Sequence, residues 1–158
     1  MTVLEAAALA ERLRASGRRI VLANGCFDLL HVGHVRYLED ARRLGDVLFV
    51  GVNSDAAVAR LKGAGRPLMP AAERVEVLSA LRAVDHVVVF DDDTADGLIR
   101  ALKPHVHAKG TDYTEDSVPE RATARAAGVA TAIAGDPKQH ATRDLIAAIV
   151  ARFGGSAR

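Results

Sequence analysis

Short, uniformly apolar runs alternate along this chain with stretches whose apolar residues return every three or four positions. Ile20 to Ala23, Val47 to Val52 and Val87 to Phe90 are unbroken apolar runs, the pattern of parallel strands covered on both faces. Val106 to Ala108 is a weaker fourth run and Val129 to Ala134 a fifth. Between them, Leu4, Ala8, Leu9 and Leu13 recur at helical spacing up to Ser16-Gly17, and Thr2 with Glu5 has the spacing of a capping box. Val35, Leu38 and Ala41 do the same over Gly33 to Arg43, with Gly45 placed to end the helix. Pro70 suits the first turn of a helix carrying Val75, Leu78 and Leu81. Asp91-Asp92-Asp93-Thr94 caps a helix with Leu98, Ile99 and Leu102, and a last helix is expected from about Thr142 to Arg152, with a frayed tail. Residues 60–70, with two glycines and two prolines beside Lys62 and Arg66, read as a basic loop.

Strands alternating with helices predict an α/β fold with a parallel sheet. With 158 residues the chain is expected to form one domain, an N-terminal helix at 1–17 followed by a core at 20–150. In such sheets ligands bind beyond the carboxyl ends of strands, where strand order reverses. The loops after the first, second and fourth strands are therefore the ones expected to hold chemistry.

Composition narrows the function by exclusion. Lys and Arg total 21 against 20 Asp and Glu, a net charge of +1, so no bulk field draws the protein to nucleic acid or to an anionic membrane. Any bound anion must be held by a local constellation. A single cysteine, Cys26, excludes an internal disulfide and makes a cytoplasmic address the expectation. Glu5, Glu11 and Arg12 interrupt the apolar N-terminus, so no secretory leader is expected, and no apolar run approaches the roughly 20 residues that span a bilayer.

The chemistry concentrates in Asn24-Gly25-Cys26-Phe27-Asp28-Leu29-Leu30-His31-Val32-Gly33-His34, between the first strand and the next helix. Gly25 lets the backbone turn, and Gly33 lets a bulky anion approach a helix start, where unpaired N–H groups and the dipole favour negative charge. His31 and His34 lie three apart, so one helical turn puts both on one face to donate to phosphate oxygens. In-line transfer at phosphorus needs charge neutralisation and positioning more than a covalent nucleophile. A zinc site fits poorly, since no Cys or carboxylate ligand accompanies the two histidines at that spacing.

This stretch resembles the signature of the cytidylyltransferase-like nucleotidyltransferases, Gly-x-Phe-Asp-x-x-His-x-Gly-His. The resemblance implies a Rossmann-like sheet with helices on both faces and Mg2+ with an NTP as donor. It implies phosphate binding by His31 and His34, and direct attack of an acceptor phosphate on the α-phosphorus. It covers roughly residues 20–150. Gly51 to Asp55, Arg60-Leu61-Lys62-Gly63, Arg66-Pro67, Glu73-Arg74, Val84-Asp85, Lys109-Gly110-Thr111-Asp112-Tyr113 and Val118-Pro119-Glu120 are similar to the adenylyltransferase domain of ADP-heptose synthesis. In the Lys109 to Tyr113 segment Thr111 replaces a glycine.

On this resemblance the catalytic candidates are His31, His34 and Lys62, the last placed to meet charge building on the phosphates. The nucleotide-binding candidates are Asn24, Gly25, Cys26, Phe27, Asp28, Gly33, Lys109, Gly110, Asp112 and Thr142. Arg74 and Arg143 are candidate acceptor or phosphate contacts, though a structural ion pair fits Arg74 equally well. Arg82 reads as a surface or interface residue. Where the family has Ser-Thr-Thr before its last helix this chain has His140-Ala141-Thr142-Arg143-Asp144, so only Thr142 keeps a hydroxyl, to cap the helix, while Arg143 or Lys138 supplies charge. Cys26 reads as a packed thiol, and His86, His105 and His107 as structural. Asp91 to Asp93 reads as a solvated helix start rather than a metal cluster. No protein ligand for the metal is expected, since Mg2+ is held mainly by NTP phosphates and water. The implied reaction is AMP transfer from ATP to D-glycero-β-D-manno-heptose 1-phosphate. The alternatives are a CTP-dependent enzyme acting on glycerol 3-phosphate or a similar alcohol phosphate, and a nucleotide-binding regulator without turnover. The expected partners are the NTP and a small phosphate acceptor, with no nucleic acid or membrane, in a homodimer. A separate kinase would supply the sugar phosphate.

Overall fold

The computed structural model describes residues 1–137 and 141–154. Five strands form one sheet: β1 (Ile20–Gly25), β2 (Val47–Asn53), β3 (His86–Phe90), β4 (Val106–Gly110) and β5 (Ala130–Ala134). They lie in the order β3-β2-β1-β4-β5, and every pair is parallel. The chain builds outward from β1 through β2 to β3, then returns to the other side of β1. Strand order reverses between β1 and β4, so the loops leaving those strands diverge and open a crevice.

Seven helices accompany the strands among the described residues: α1 (Val3–Ala15), α2 (Val32–Arg42), α3 (Asp55–Lys62), α4 (Ala71–Ser79), α5 (Asp96–Leu102), α6 (Arg121–Ala126) and α7 (Thr142–Phe153). The period of two along each strand divides the core. Ile20, Leu22 and Phe49 pack with Ala6 and Ala10 of α1, Leu98, Ile99 and Leu102 of α5 and Ala124 of α6. Val21, Ala23, Leu48 and Val50 pack on the other face with Tyr37, Leu38 and Ala41 of α2 and Leu78 of α4. The apolar runs were continuous because both faces are covered, and the expected α/β sheet with helices on both sides is the fold observed.

Several local expectations are corrected. The second strand leads into α3, capped by Ser54, whose hydroxyl accepts from the Ala57 N–H at 3.0 Å. Lys62 is thus the last residue of a helix, and only 63–70 is loop. Gly45 does not end α2, whose C-cap is Arg43. A β-carbon at Gly45 would stand 2.7 Å from the carbonyl oxygen of Arg19, so the glycine admits a close approach of two chains. Pro70 is the N-cap of α4 rather than part of its first turn. Ala95 stands at the N-cap of α5, while Asp91 and Asp93 pair with Arg60 of α3 (Arg60 Nε to Asp93 Oδ1, 2.8 Å). The acidic run ties the loop after β3 to α3 instead of capping a helix. Thr142 does not cap α7, whose N-cap is Ala141 with no side-chain bond; the Thr142 hydroxyl donates to the Leu29 carbonyl at 3.4 Å.

Arg74 shows what clamps the carboxyl edge. Its side chain is fully buried. Nη1 donates to the carbonyls of Cys26 (2.6 Å) and Asn53 (2.9 Å), Nε to that of Met69 (3.0 Å), and Nη2 to Asp55 Oδ1 (2.7 Å). One guanidinium thus joins the loop after β1, the end of β2, the start of α3 and the segment before α4. Of its two readings, the geometry supports the structural one, and it is not a ligand contact. Removing it strands three carbonyl oxygens. Arg74→Leu is expected to cost about 3 kcal/mol of stability in urea unfolding. Asp55→Asn, at a half-exposed partner, should cost less than about 1 kcal/mol.

Candidate active site

At the carboxyl edge a cavity of about 620 Å3 lies across the switch point, a volume suited to a nucleotide and a second substrate. All five strand-end loops contribute to it: Asn24 to His34 after β1, Asn53 and Lys62 after β2, Asp93 and Thr94 after β3, Gly110 to Tyr113 after β4 and Gly135 to Pro137 after β5.

The loop after β1 turns sharply at Phe27, which holds φ at +49°, in the left-handed region that disfavours side chains. The Phe27 ring is buried against Tyr37 and edge-on to His34, with centroids 5.2 Å apart. It backs the histidine and also borders the cavity. His31 is the N-cap of α2 and His34 its third residue. Their rings stack, with centroids 3.8 Å apart and planes 23° from parallel. The two imidazoles therefore meet at a helix N-terminus, as the spacing predicted. The His31 N–H donates to His34 Nδ1 at 3.4 Å, which leaves the His34 proton on Nε2. Burial, then the neighbouring His31, lower the His34 pKa to about 4. At neutral pH it is an uncharged donor.

Asp28 is almost fully buried at the border of the cavity, and its carboxylate is taken up by protein donors. Its Oδ1 accepts from the N–H groups of Leu68 (2.8 Å) and Met69 (2.9 Å), and Oδ2 from Arg66. Burial pushes its carboxyl up, but these donors more than offset that and hold it below its ordinary range. The motif aspartate thus clasps the 63–70 loop over the site. Cys26 lies against Asn53, its Sγ 3.8 Å from Oδ1, and burial pushes its thiol up despite Lys62, Arg74 and Arg66 nearby. It remains a protonated thiol rather than a nucleophile.

Gly25, Gly33, Gly110 and Asp112 border the cavity with these residues, and so do Thr142 and Arg143 from the start of α7. Arg143 is mostly exposed, with Asp144 3.6 Å away. Lys138 and His140 lie outside the described residues, as does the tail beyond 154. Lys109 borders the cavity but is nearly buried, its Nζ 3.0 Å from Glu120 and 3.2 Å from Asn24 Oδ1, so its charge is answered within the protein. Burial raises the Glu120 carboxyl and Lys109's charge more than reverses it. His107 joins this group through Asn24. His105, with its Nδ1 accepting from the Ile20 N–H at 2.9 Å, is structural as expected.

Two contributors escaped the sequence reading. Arg36, on α2, borders the cavity and pairs with Asp136 at 3.0 Å. Glu120 was noted only within a motif; the signal that it needs a cation is its full burial, which sequence does not reveal.

With this geometry, comparison with known proteins is decisive. The model of the cytidylyltransferase-like family matches residues 22–145. The chain belongs to that family. It is accordingly a nucleotidyltransferase, and the matched residues include the loop that carries His31 and His34. It is 48% identical over 147 residues to the bifunctional protein HldE of Pelobacter propionicus, covering 93% of this chain and 30% of that protein. It is 57% identical over 112 residues to bifunctional HldE of Geotalea uraniireducens, covering 71% of this chain and 23% of the relative. The chain thus spans less than a third of the length of these relatives. Among solved structures, a lipopolysaccharide core biosynthesis protein from Thermoplasma volcanium superposes with a TM-score of 0.66 at 27% identity, over 77% of this chain and 100% of that one. Among the described residues no helix is long and apolar enough to cross a membrane.

The depressed His34 pKa sets a pH dependence. The unfolded chain takes up a proton near the ordinary value of 6.5, the folded one only near 4. Between those values the unfolded state binds more protons, so stability is lost as pH falls. Thermal melts should show Tm dropping from pH 6.5 toward 4, and His34→Gln should make that drop shallower.

Proposed function

We propose that this chain is an adenylyltransferase that moves AMP from ATP to the phosphate of D-glycero-β-D-manno-heptose 1-phosphate, giving ADP-heptose and pyrophosphate. One observation carries the reading: two stacked imidazoles at the N-terminus of α2 border a nucleotide-sized cavity that Lys62 also lines. The sugar acceptor is supported by likeness to the adenylyltransferase domain of ADP-heptose synthesis and by the HldE relatives.

The attacking group is an acceptor phosphate oxygen that is already ionised, so no general base is required. As its bond to the α-phosphorus forms, the bond to the bridging oxygen breaks, and the electron pair leaves with pyrophosphate. Negative charge grows on that oxygen and on the equatorial oxygens. His34 Nε2–H, His31, the first-turn N–H groups of α2 and the Lys62 ammonium are the donors in reach of that charge. Pre-placed, they need no reorganisation as the reaction proceeds.

Among the described residues no cluster of three or more His, Cys, Asp or Glu side chains is arranged to hold an ion. Mg2+ fits as a companion of the triphosphate, held by its oxygens and water, where it supplies charge neutralisation. The proposal extends to a cytosolic homodimer, the assembly expected of the family, which sedimentation velocity would test.

Pyrophosphate release with ATP or CTP against sugar and polyol phosphates tests the reading. Turnover is expected with ATP and the heptose phosphate. CTP with a polyol phosphate would transfer the assignment to the alternative, and binding without turnover on any acceptor would make the protein a regulator. His34→Ala should lower kcat by ~100-fold or more, the scale of losing a transition-state donor, and unchanged turnover would remove His34 from the mechanism.

A further inference from the structure

Four polar side chains meet beneath the cavity, on the face of the sheet that carries Ile20 and Leu22. Asn24 continues that face at the end of β1, and His107 and Lys109, two apart on β4, share it through the pairing of Leu22 with His107. Glu120, ahead of α6, closes the group. His107 and Glu120 are fully buried and Lys109 nearly so. Lys109 Nζ lies 3.2 Å and His107 Nε2 2.9 Å from the same atom, Asn24 Oδ1. Glu120 Oε1 accepts from Lys109 at 3.0 Å and from the Ala95 N–H at 3.0 Å.

The donor inventory then decides every proton. An ammonium can only donate, so the Asn24 atom facing Lys109 must be its oxygen, which removes the usual ambiguity of an amide's orientation. His107 Nε2 faces that oxygen and must carry a hydrogen, so its Nδ1 is the bare nitrogen. Both lone-pair directions of Oδ1 are taken from below. The Asn24 NH2 group has no hydrogen-bond partner among the described residues, and Asn24 borders the cavity. The arrangement also costs stability, because His107 Nδ1 and Glu120 Oε2 are buried without a partner among the described residues. An apolar group of similar volume would fill the space at no such cost.

We propose that His107 is a positioning residue which, with Lys109, fixes the Asn24 amide so that its NH2 faces the cavity and donates to a phosphate or ribose oxygen of the bound nucleotide. Lys109 acts here through Asn24 rather than by touching the ligand. The inference rests on the reading that the cavity holds a nucleoside triphosphate, and its test separates the two.

Binding of ATP with Mg2+ is measured by calorimetry for the wild type, Asn24→Ala, His107→Leu, their double variant and His107→Gln, with a thermal melt for each. Each of the first two variants is expected to weaken binding about tenfold or more, the scale of a hydrogen bond to a charged group. The double variant should be no weaker than the worse single one, since both remove one donor. His107→Gln, whose amide N–H can stand in for Nε2–H, should restore affinity to within about threefold. Nitrogen-15 NMR of the wild type should find His107 protonated on Nε2 at neutral pH, a readout that does not depend on any variant folding. An Nδ1–H tautomer, unchanged affinity in Asn24→Ala, or losses that simply add would each overturn the proposal. If those occur while His34→Ala still weakens ATP binding, the nucleotidyltransferase reading stands without it. A wild type that does not bind ATP overturns this proposal together with the adenylyltransferase reading.

Discussion

The carboxyl edge of this sheet depends on one buried guanidinium. A parallel sheet ends in a row of carbonyls and loops that have no strand to satisfy them. Arg74 answers three of those carbonyls and one carboxylate from a single planar group, and so holds the loop after β1 against the end of β2 and the segment leading to α4. Asp28 works from the opposite direction, its carboxylate gathering the Leu68 and Met69 N–H groups and the Arg66 guanidinium. Between them these two residues set where the loop that carries His31 and His34 stands.

Charge in the site divides into what is spent on structure and what is left for a ligand. Arg66, Arg74 and Lys109 all lie near the cavity, and all three pair with protein oxygens. The groups at the cavity that are left for a ligand are fewer: two stacked imidazoles, of which His34 is neutral, a helix start and Lys62 at the end of α3. A neutral histidine donates without the desolvation cost of a buried charge. That suits a site which must admit a highly charged substrate and release a highly charged product.

Much of this was legible before any coordinates. The three strong apolar runs were strands because burial on both faces removes the alternation that would blur them. The Thr2–Glu5 capping box formed as its spacing required, Glu5 Oε2 accepting from the Thr2 N–H at 2.8 Å. The His31–His34 pair was legible because one helical turn makes residues three apart neighbours. The short helices were not. α6 has no apolar periodicity and buries only Ala124, and α3 runs straight into the glycines and prolines that marked its end as loop. Both are held by tertiary contacts rather than by local preference.

The sequence by itself determined the class of fold, the place of the chemistry at strand ends and the histidine motif, because local spacing and periodicity are properties of neighbouring residues. Only the tertiary structure decided which polar side chains are functional and which are structural. Arg74, Asp28 and Lys109 share a vicinity with His34 in any motif-based reading, yet the fold buries the first, spends the second on the 63–70 loop and ties the third to Glu120. The reason is physical: a charged group's role follows from the partner that burial forces on it, and those partners lie 5 to 85 residues away along the chain.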